Sequence, residues 1–242
     1  MRHISACFAF GVALMAAPLA MAQDLSEERV KELVLEAILE NPEVIMEAIQ
    51  LLEDHQRAEQ QAQAQALLDE QRDRLEQDPN APVIGNVEGD VTVVEFFDYN
   101  CPYCRRAKEQ LYEVLAADGN VRVVMREWPI LGEESVFAAR AALASREQGK
   151  YDEFHEALMD LRGRATEQSV LQLANRLGMD TNKLVEDMNA PEVQAHIDTS
   201  MELARSIGFS GTPSFIVGDT LVPGFVEAAA MADHIASARA LN

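Results

Sequence analysis

Apolar residues recur at helical spacing over residues 26–40, where Val30, Leu33, Val34, Ala37 and Ile38 fall on one face and Ser26 stands as an N-cap. Asn41-Pro42 interrupts the run, with Pro42 suited to the first position of a new helix. A second apolar face follows, made by Val44, Ile45, Ala48, Ile49, Leu51 and Leu52. From His55 to Glu76 the chain turns to Gln, Ala, Glu and Arg, a composition that favours helix but offers little to bury. Gln77 to Pro82, with two prolines, predicts a turn or linker.

Beyond residue 83 the period shifts to two. Val83-Ile84-Gly85-Asn86 predicts a short edge strand, Val91–Phe97 a strand, Arg105–Ala116 a helix and Val121–Glu127 a second main strand. Helical pattern fills about 133–206 in five stretches, punctuated by Gly149, Gly163, Gly178 and Pro191. Ser214–Val217 and Thr220–Val222 flank Gly218-Asp219, a two-residue hairpin signal, and a helix over 225–241 closes the pattern. Strand, helix, strand predicts a parallel pair, to which the hairpin adds antiparallel strands. The fold class is therefore α/β: a mixed sheet of four or five strands under helices, with a helical insert near the carboxyl end of the first main strand.

The two N-terminal apolar stripes need a cover. They can fold back on the main domain or pair with other subunits, and the polar stretch between them and the domain favours self-association. Residues 1–22 have the layout of a secretory signal: Arg2, an apolar run from Ile4 to Leu19, then Ala20-Met21-Ala22 before Gln23. Cys7 lies inside it, which leaves Cys101 and Cys104 as an even pair in an exported chain and agrees with an oxidising compartment. The formal charge is −21, and residues 23–90 alone hold 5 basic against 18 acidic side chains. Such acidity speaks against nucleic acid or an anionic membrane surface as the main partner.

The chemistry is concentrated in Cys101-Pro102-Tyr103-Cys104, between the first main strand and the helix after it. A thiol at a helix N-terminus meets unpaired N–H groups and the positive end of the helix dipole, which favour a thiolate and bring its pKa below about 8.5. A structural zinc site needs four ligands, and the mature chain offers no second cysteine pair and no histidine at fitting spacing. A purely structural disulfide would close too short a loop to remove much chain entropy. That leaves a redox pair, with copper(I) binding by the same thiols as a different class of function. Glu95 lies within the strand on the face of Val91, Val93 and Phe97. Burial there would raise its pKa and let it hold or pass a proton. Gly211-Thr212-Pro213 precedes the third main strand, a place that suits proline, although on sequence alone the peptide bond is expected to be trans. His55, His155, His196 and His234 show no ligand spacing, and Trp128 reads as core.

Phe96-Phe97-Asp98-Tyr99-Asn100-Cys101-Pro102-Tyr103-Cys104, with Gly211-Thr212-Pro213 far downstream and a helical block between, resembles the DsbA-like branch of the thioredoxin superfamily over roughly residues 83–240. The resemblance implies a thioredoxin fold with a helical insertion and no cofactor or metal. It implies Cys101 as nucleophile, Cys104 as resolving cysteine and Glu95 as the buried acid. A cis Pro213 and Thr212 would touch substrate, with Pro102 and Tyr103 beside them. Asn41-Pro42-Glu43-Val44-Ile45 and the following helix are similar to ScsC-like (suppressor of copper sensitivity) proteins, in which this part is an oligomerising stalk. The implied organisation is a signal over 1–22, a helical stalk over 23–78 and a DsbA-like domain over 83–242. The implied function is a periplasmic oxidoreductase that isomerises or forms disulfides in exported proteins. Its implied partners are unfolded or misoxidised clients, a membrane redox partner, and further copies of itself, a trimer above all. A simple dithiol oxidase is the alternative. Pro-Tyr in place of the classical Pro-His dipeptide removes one thiolate-stabilising group.

Overall fold

The computed structural model describes residues 26–241; the expected signal and Cys7 lie outside them. The chain forms two compact units, one up to Arg57 and one from Ala58 onward. In the first, α1 (Glu27–Glu40) begins at Ser26, whose side chain accepts from the Arg29 N–H. It ends at Asn41, whose backbone N–H donates to the Ala37 carbonyl. The helix α2 starts at Glu43 and runs without a break to Glu76, so the separate helices expected on either side of His55 are one 34-residue element. Gln and Ala carry no helix-breaking chemistry, and no proline or glycine interrupts them.

In the second unit a five-stranded sheet has the order β1-β3-β2-β4-β5. The strands are β1 (Val83–Gly85), β2 (Val91–Phe97), β3 (Val121–Glu127), β4 (Ser214–Val217) and β5 (Thr220–Pro223). The central strand β2 runs parallel to β3 and antiparallel to β4, pairing Glu95 with Met125 on one side and Phe215 on the other. The β4–β5 hairpin turns through Gly218 at φ 55°, a left-handed conformation that a side chain resists.

Alternation along β2 splits the core. Val91, Val93 and Phe97 pack with Leu111 and Val114 of α3 (Pro102–Ala117) and with Ile235 of α9 (Ala228–Leu241). The insert joins this layer through Phe154 and Leu158 of α5 (Tyr151–Met159), Val170 of α6 (Glu167–Arg176) and Leu184 of α7 (Thr181–Asp187). The insert's flanking helices are α4 (Glu133–Ala144) and α8 (Pro191–Ile207). Val94 and Phe96 point the other way, to Trp128, to Leu203 and Ile207 of α8, and to Leu68 and Leu75 of α2. Here the structure corrects the expectation that residues 55–76 have little to bury. Leu68 and Leu75 are each 2% exposed, because two leucines suffice when a sheet face supplies the partner.

Candidate active site

Strand β2 ends at Phe97, and three polar-bearing residues lead to the cysteine. Asp98 accepts from the N–H groups of Asn100 (2.8 Å) and Leu131 (2.9 Å). The Asn100 carboxamide donates to Ser135 (3.2 Å) and accepts from the Ala165 N–H (2.7 Å). Tyr99 is buried with its hydroxyl 3.0 Å from His155 Nδ1. The Cys101 N–H closes the turn on the Asp98 carbonyl at 3.0 Å. Cys101 is then the N-cap of α3, in extended conformation, with Pro102 at the first helical position where a missing N–H costs nothing.

Both cysteines are free thiols, Cys101 only 4% exposed and Cys104 one helical turn further in and fully covered. The Cys101 pKa is pulled down to about 6: the Cys104 thiol donates to it, and Thr212 and the N–H groups of Cys104 and Tyr103 add to this against the opposing effect of burial. Cys104 is pushed far up, first by burial and then because its proton is engaged by Cys101. When Cys101 is a thiol it donates to the Thr212 carbonyl at 3.2 Å. The Thr212–Pro213 peptide bond is cis, against the expectation from sequence alone and as the resemblance implies. The Pro213 carbonyl accepts from the Gly224 N–H at 3.0 Å, which ties this loop to the start of the segment carrying Phe225.

Glu95 is 2% exposed beneath this layer, and burial, with the charge on Cys101 as a second cause, pushes its pKa up to about 8. Its Oε1 is buried without a hydrogen-bond partner. On the outer side Pro102 is exposed and Tyr103 is 56% exposed. The Tyr103 ring lies 6.5 Å from that of Phe225, and the Arg106 guanidinium stands over Phe225 at 4.5 Å. Cys101, Cys104, Glu95, Thr212, Pro213 and Tyr103 thus belong to one neighbourhood. Among the described residues no group of three or more His, Cys, Asp or Glu is placed to hold a metal ion.

Sequence reasoning missed the supports. Asp98 reads as an ordinary polar exit residue, yet it is buried and shapes the turn before Cys101. His155 and His196 are fully buried in side-chain hydrogen-bonded settings, and Glu127, at a strand end, is as deeply buried. Only the polar residues crowded before Cys101 carried a local signal. The partners of the others lie dozens of residues away.

Residues 92–236 match the DSBA-like thioredoxin domain, and residues 27–59 match the N-terminal domain of the copper resistance protein ScsC. A thioredoxin-like oxidoreductase from Silicibacter pomeroyi DSS-3 is 63% identical, with a TM-score of 0.69 over 70% of this chain and 98% of that one. A linker-deletion mutant of Proteus mirabilis ScsC is 27% identical, with a TM-score of 0.69 over 93% of this chain and 99% of that one. The Na(+)/H(+) antiporter NhaA 3 of Salinispora tropica is 34% identical over 137 residues, 56% of this chain, and the chain spans only 21% of that protein's length. A thiolate-prone cysteine ahead of a buried partner, facing a cis-proline loop on a thioredoxin sheet, agrees with these matches. The chain belongs to the DsbA-like thioredoxin-domain family and carries an ScsC-type N-terminal domain.

Proposed function

We propose that this protein is a thiol–disulfide oxidoreductase of the DsbA/ScsC type and acts as a disulfide isomerase of exported proteins, working in the periplasm as a homo-oligomer, with a trimer as the favoured state. The observation that carries the reading is the uncovered apolar surface of the N-terminal unit. Val34, Leu35, Leu39, Met46, Leu51 and Leu52 are each more than half exposed. A run of this kind on two helices needs a partner, and a second and third copy of the same stripe is the partner always at hand. Assembly places several Cys101 thiols in one particle. A client released from one site then meets another at raised effective concentration.

In each exchange the Cys101 thiolate attacks one sulfur of a client disulfide. The client's other sulfur leaves as a thiolate, and a mixed disulfide remains. That freed client thiolate, or another, then attacks a client sulfur and restores Cys101; no net electrons are transferred. If the client stalls, Cys104 attacks Cys101 instead. The client leaves reduced, and the Cys101–Cys104 disulfide must be returned to dithiol by a membrane redox partner. Glu95, in the fraction of molecules in which it is ionised, accepts the proton that Cys104 sheds in that step. Thr212 and Pro213 hold the client backbone beside Cys101, with Pro102 and Tyr103 forming the adjacent wall.

Recovery of ribonuclease activity from scrambled disulfides tests this, comparing the wild-type chain with one bearing Leu35→Glu and Leu39→Glu, alongside light scattering. The expected result is an oligomer that isomerises, and a variant that scatters as a smaller species and isomerises poorly while still oxidising a dithiol peptide. A wild-type chain that scatters as a monomer, or a variant that isomerises equally well, would sink the proposal.

A further inference from the structure

The cysteine pair is bordered by a short loop, residues 224–227, that the fold pins at both ends. The Gly224 N–H donates to the Pro213 carbonyl at 3.0 Å, and the N–H of Ala228, the first residue of α9, donates to Gln110 Oε1 of α3 at 2.9 Å. The loop is therefore tied to the cis-proline segment on one side and to the active-site helix on the other. Its Phe225 lies against Tyr103, the residue between the cysteines, with ring centroids 6.5 Å apart.

Arg106, two residues past Cys104, completes the cluster. Its guanidinium carbon stands 4.5 Å from the centre of the Phe225 ring and 5.8 Å from that of Tyr103. Attraction to two ring faces narrows the positions open to the cation, so its place is set before a ligand arrives. Its charge is nevertheless poorly met within the chain. Among the described residues its acidic neighbour is Glu227, at 3.9 Å, too far for a hydrogen bond, and the two side chains are 58% and 67% exposed. A pair so exposed and so loosely spaced holds its members weakly. The protein carries a formal charge of −21, yet most of that charge lies beyond the screening distance of about 8 Å at physiological salt. At close range a client approaching Cys101 thus meets a fixed cation with N–H groups to spare.

We propose that Arg106, held by Phe225 and Tyr103, is a specificity-determining residue that selects clients with an aspartate or glutamate close to the cysteine under attack. The client carboxylate takes the place of Glu227 and accepts from the guanidinium, whose planar set of donors matches a carboxylate. The inference rests on the exchange chemistry proposed above, names the client class of that same site, and stands whether or not the protein oligomerises.

The test uses the reduced full chain and three peptides. Each has a single cysteine held as a mixed disulfide with 2-mercaptoethanol, and Glu, Gln or Lys two positions away. The Cys101 thiolate attacks the peptide sulfur and displaces mercaptoethanol thiolate. Cys104 then attacks Cys101 and releases the peptide thiolate, so the protein dithiol loses two electrons and the mixed disulfide gains them. Each rate is divided by that of the same peptide with dithiothreitol, which removes the peptide's own reactivity. Comparing Glu with Lys inside one variant removes any change in Cys101 itself. The wild-type chain is expected to favour the Glu peptide over the Lys peptide by about two- to fivefold, the size of an exposed charge pair, and the preference should shrink in about 0.5 M salt. Arg106→Glu should reverse it, Arg106→Gln should abolish it, and Glu227→Gln, which removes the competing carboxylate, should enlarge it. Phe225→Leu, which keeps the charge but loses the ring that holds it, should reduce it. Equal rates for the three peptides, a preference that survives Arg106→Glu, or a preference untouched by Phe225→Leu overturns the proposal. A wild-type chain that exchanges with none of the peptides overturns the exchange reading as well, whereas equal exchange with all three overturns this inference alone.

Discussion

Cys101 carries its reactivity in contacts made within a few residues, which is why its neighbourhood was legible. The two-cysteine spacing at a helix start pointed to a thiolate, and the structure brings the pKa down to about 6 with the Cys104 thiol as the foremost cause. Alkylation of Cys101 by iodoacetamide is therefore expected to rise through about pH 6 and level off above it. Cys104→Ala should move that midpoint upward and Cys104→Ser, which keeps a donor, by less; a midpoint unmoved by Cys104→Ala would mean that the helix N-terminus and Thr212 suffice. Glu95 was legible from strict alternation along β2, and its sign is opposite. Its pKa is raised from 4.5 to about 8. The favourable balance present at low pH is thus lost as pH rises, because the unfolded chain sheds a proton that the folded chain keeps. Each pH step in that window costs about 1.4 kcal/mol, so at pH 7 the penalty is on the order of 3 kcal/mol. Glu95→Gln should accordingly be more stable than wild type in urea at pH 7 by that order and lose the advantage near pH 4.5. It should also slow the step in which Cys104 is deprotonated. Tyr151, His155 and Glu127 were not legible, since nothing local marks a tyrosine on one helix as the partner of a carboxylate on a strand.

At the scale of elements, β2 and β3 were legible to the residue because β-branched and aromatic residues fill Val91–Phe97 and Val121–Glu127 between turn residues, the mark of strands buried on both faces. The second half of α2 was not, because its few leucines gain meaning only from the sheet face they meet. The decisive partners are two arginines on β3. Arg122 Nη2 donates to the Glu76 carbonyl at 2.7 Å, and Arg126 donates to the carbonyls of Arg74 and Leu75 while pairing with Asp78 at 2.6 Å. The last carbonyls of any helix lack partners within it, and here the strand supplies them. Arg126 is wholly buried, so removing it strands Asp78 and the two carbonyls of Arg74 and Leu75 near an apolar layer. Arg126→Met is expected to cost about 3–5 kcal/mol in urea unfolding. A loss under 1 kcal/mol would mean that water or a neighbouring group satisfies those acceptors. Adding Asp78→Leu should return part of the loss, since an apolar pair of similar bulk removes the unpaired charge.

For the molecule as a whole, the strand–helix order and the hairpin signal sufficed for a mixed α/β sheet with a helical insert, because each element had its own punctuation; the thioredoxin fold itself came from the resemblance of the motifs around Cys101 and Pro213. What local pattern could not place was the point at which the α2 helix stops belonging to the N-terminal unit. Composition suggests a polar spacer up to the turn before residue 83, whereas contacts divide the chain at Arg57 and Ala58. The difference is physical, since the division follows where Leu68, Leu75 and Asp78 find partners rather than where the sequence becomes polar. Two shortened chains separate the alternatives. One beginning at Ala58 keeps those partners and should match the full chain in the urea midpoint of its thioredoxin unit and in the pH dependence of Cys101 alkylation. One beginning at Pro82 gives up two buried leucines, worth about 2–5 kcal/mol each, together with the Arg126 pair. It should unfold at much lower urea or fail to fold. Equal midpoints for the two chains would show that α2 beyond Ala58 rests on the sheet without stabilising it, and the composition-based boundary would then be the functional one.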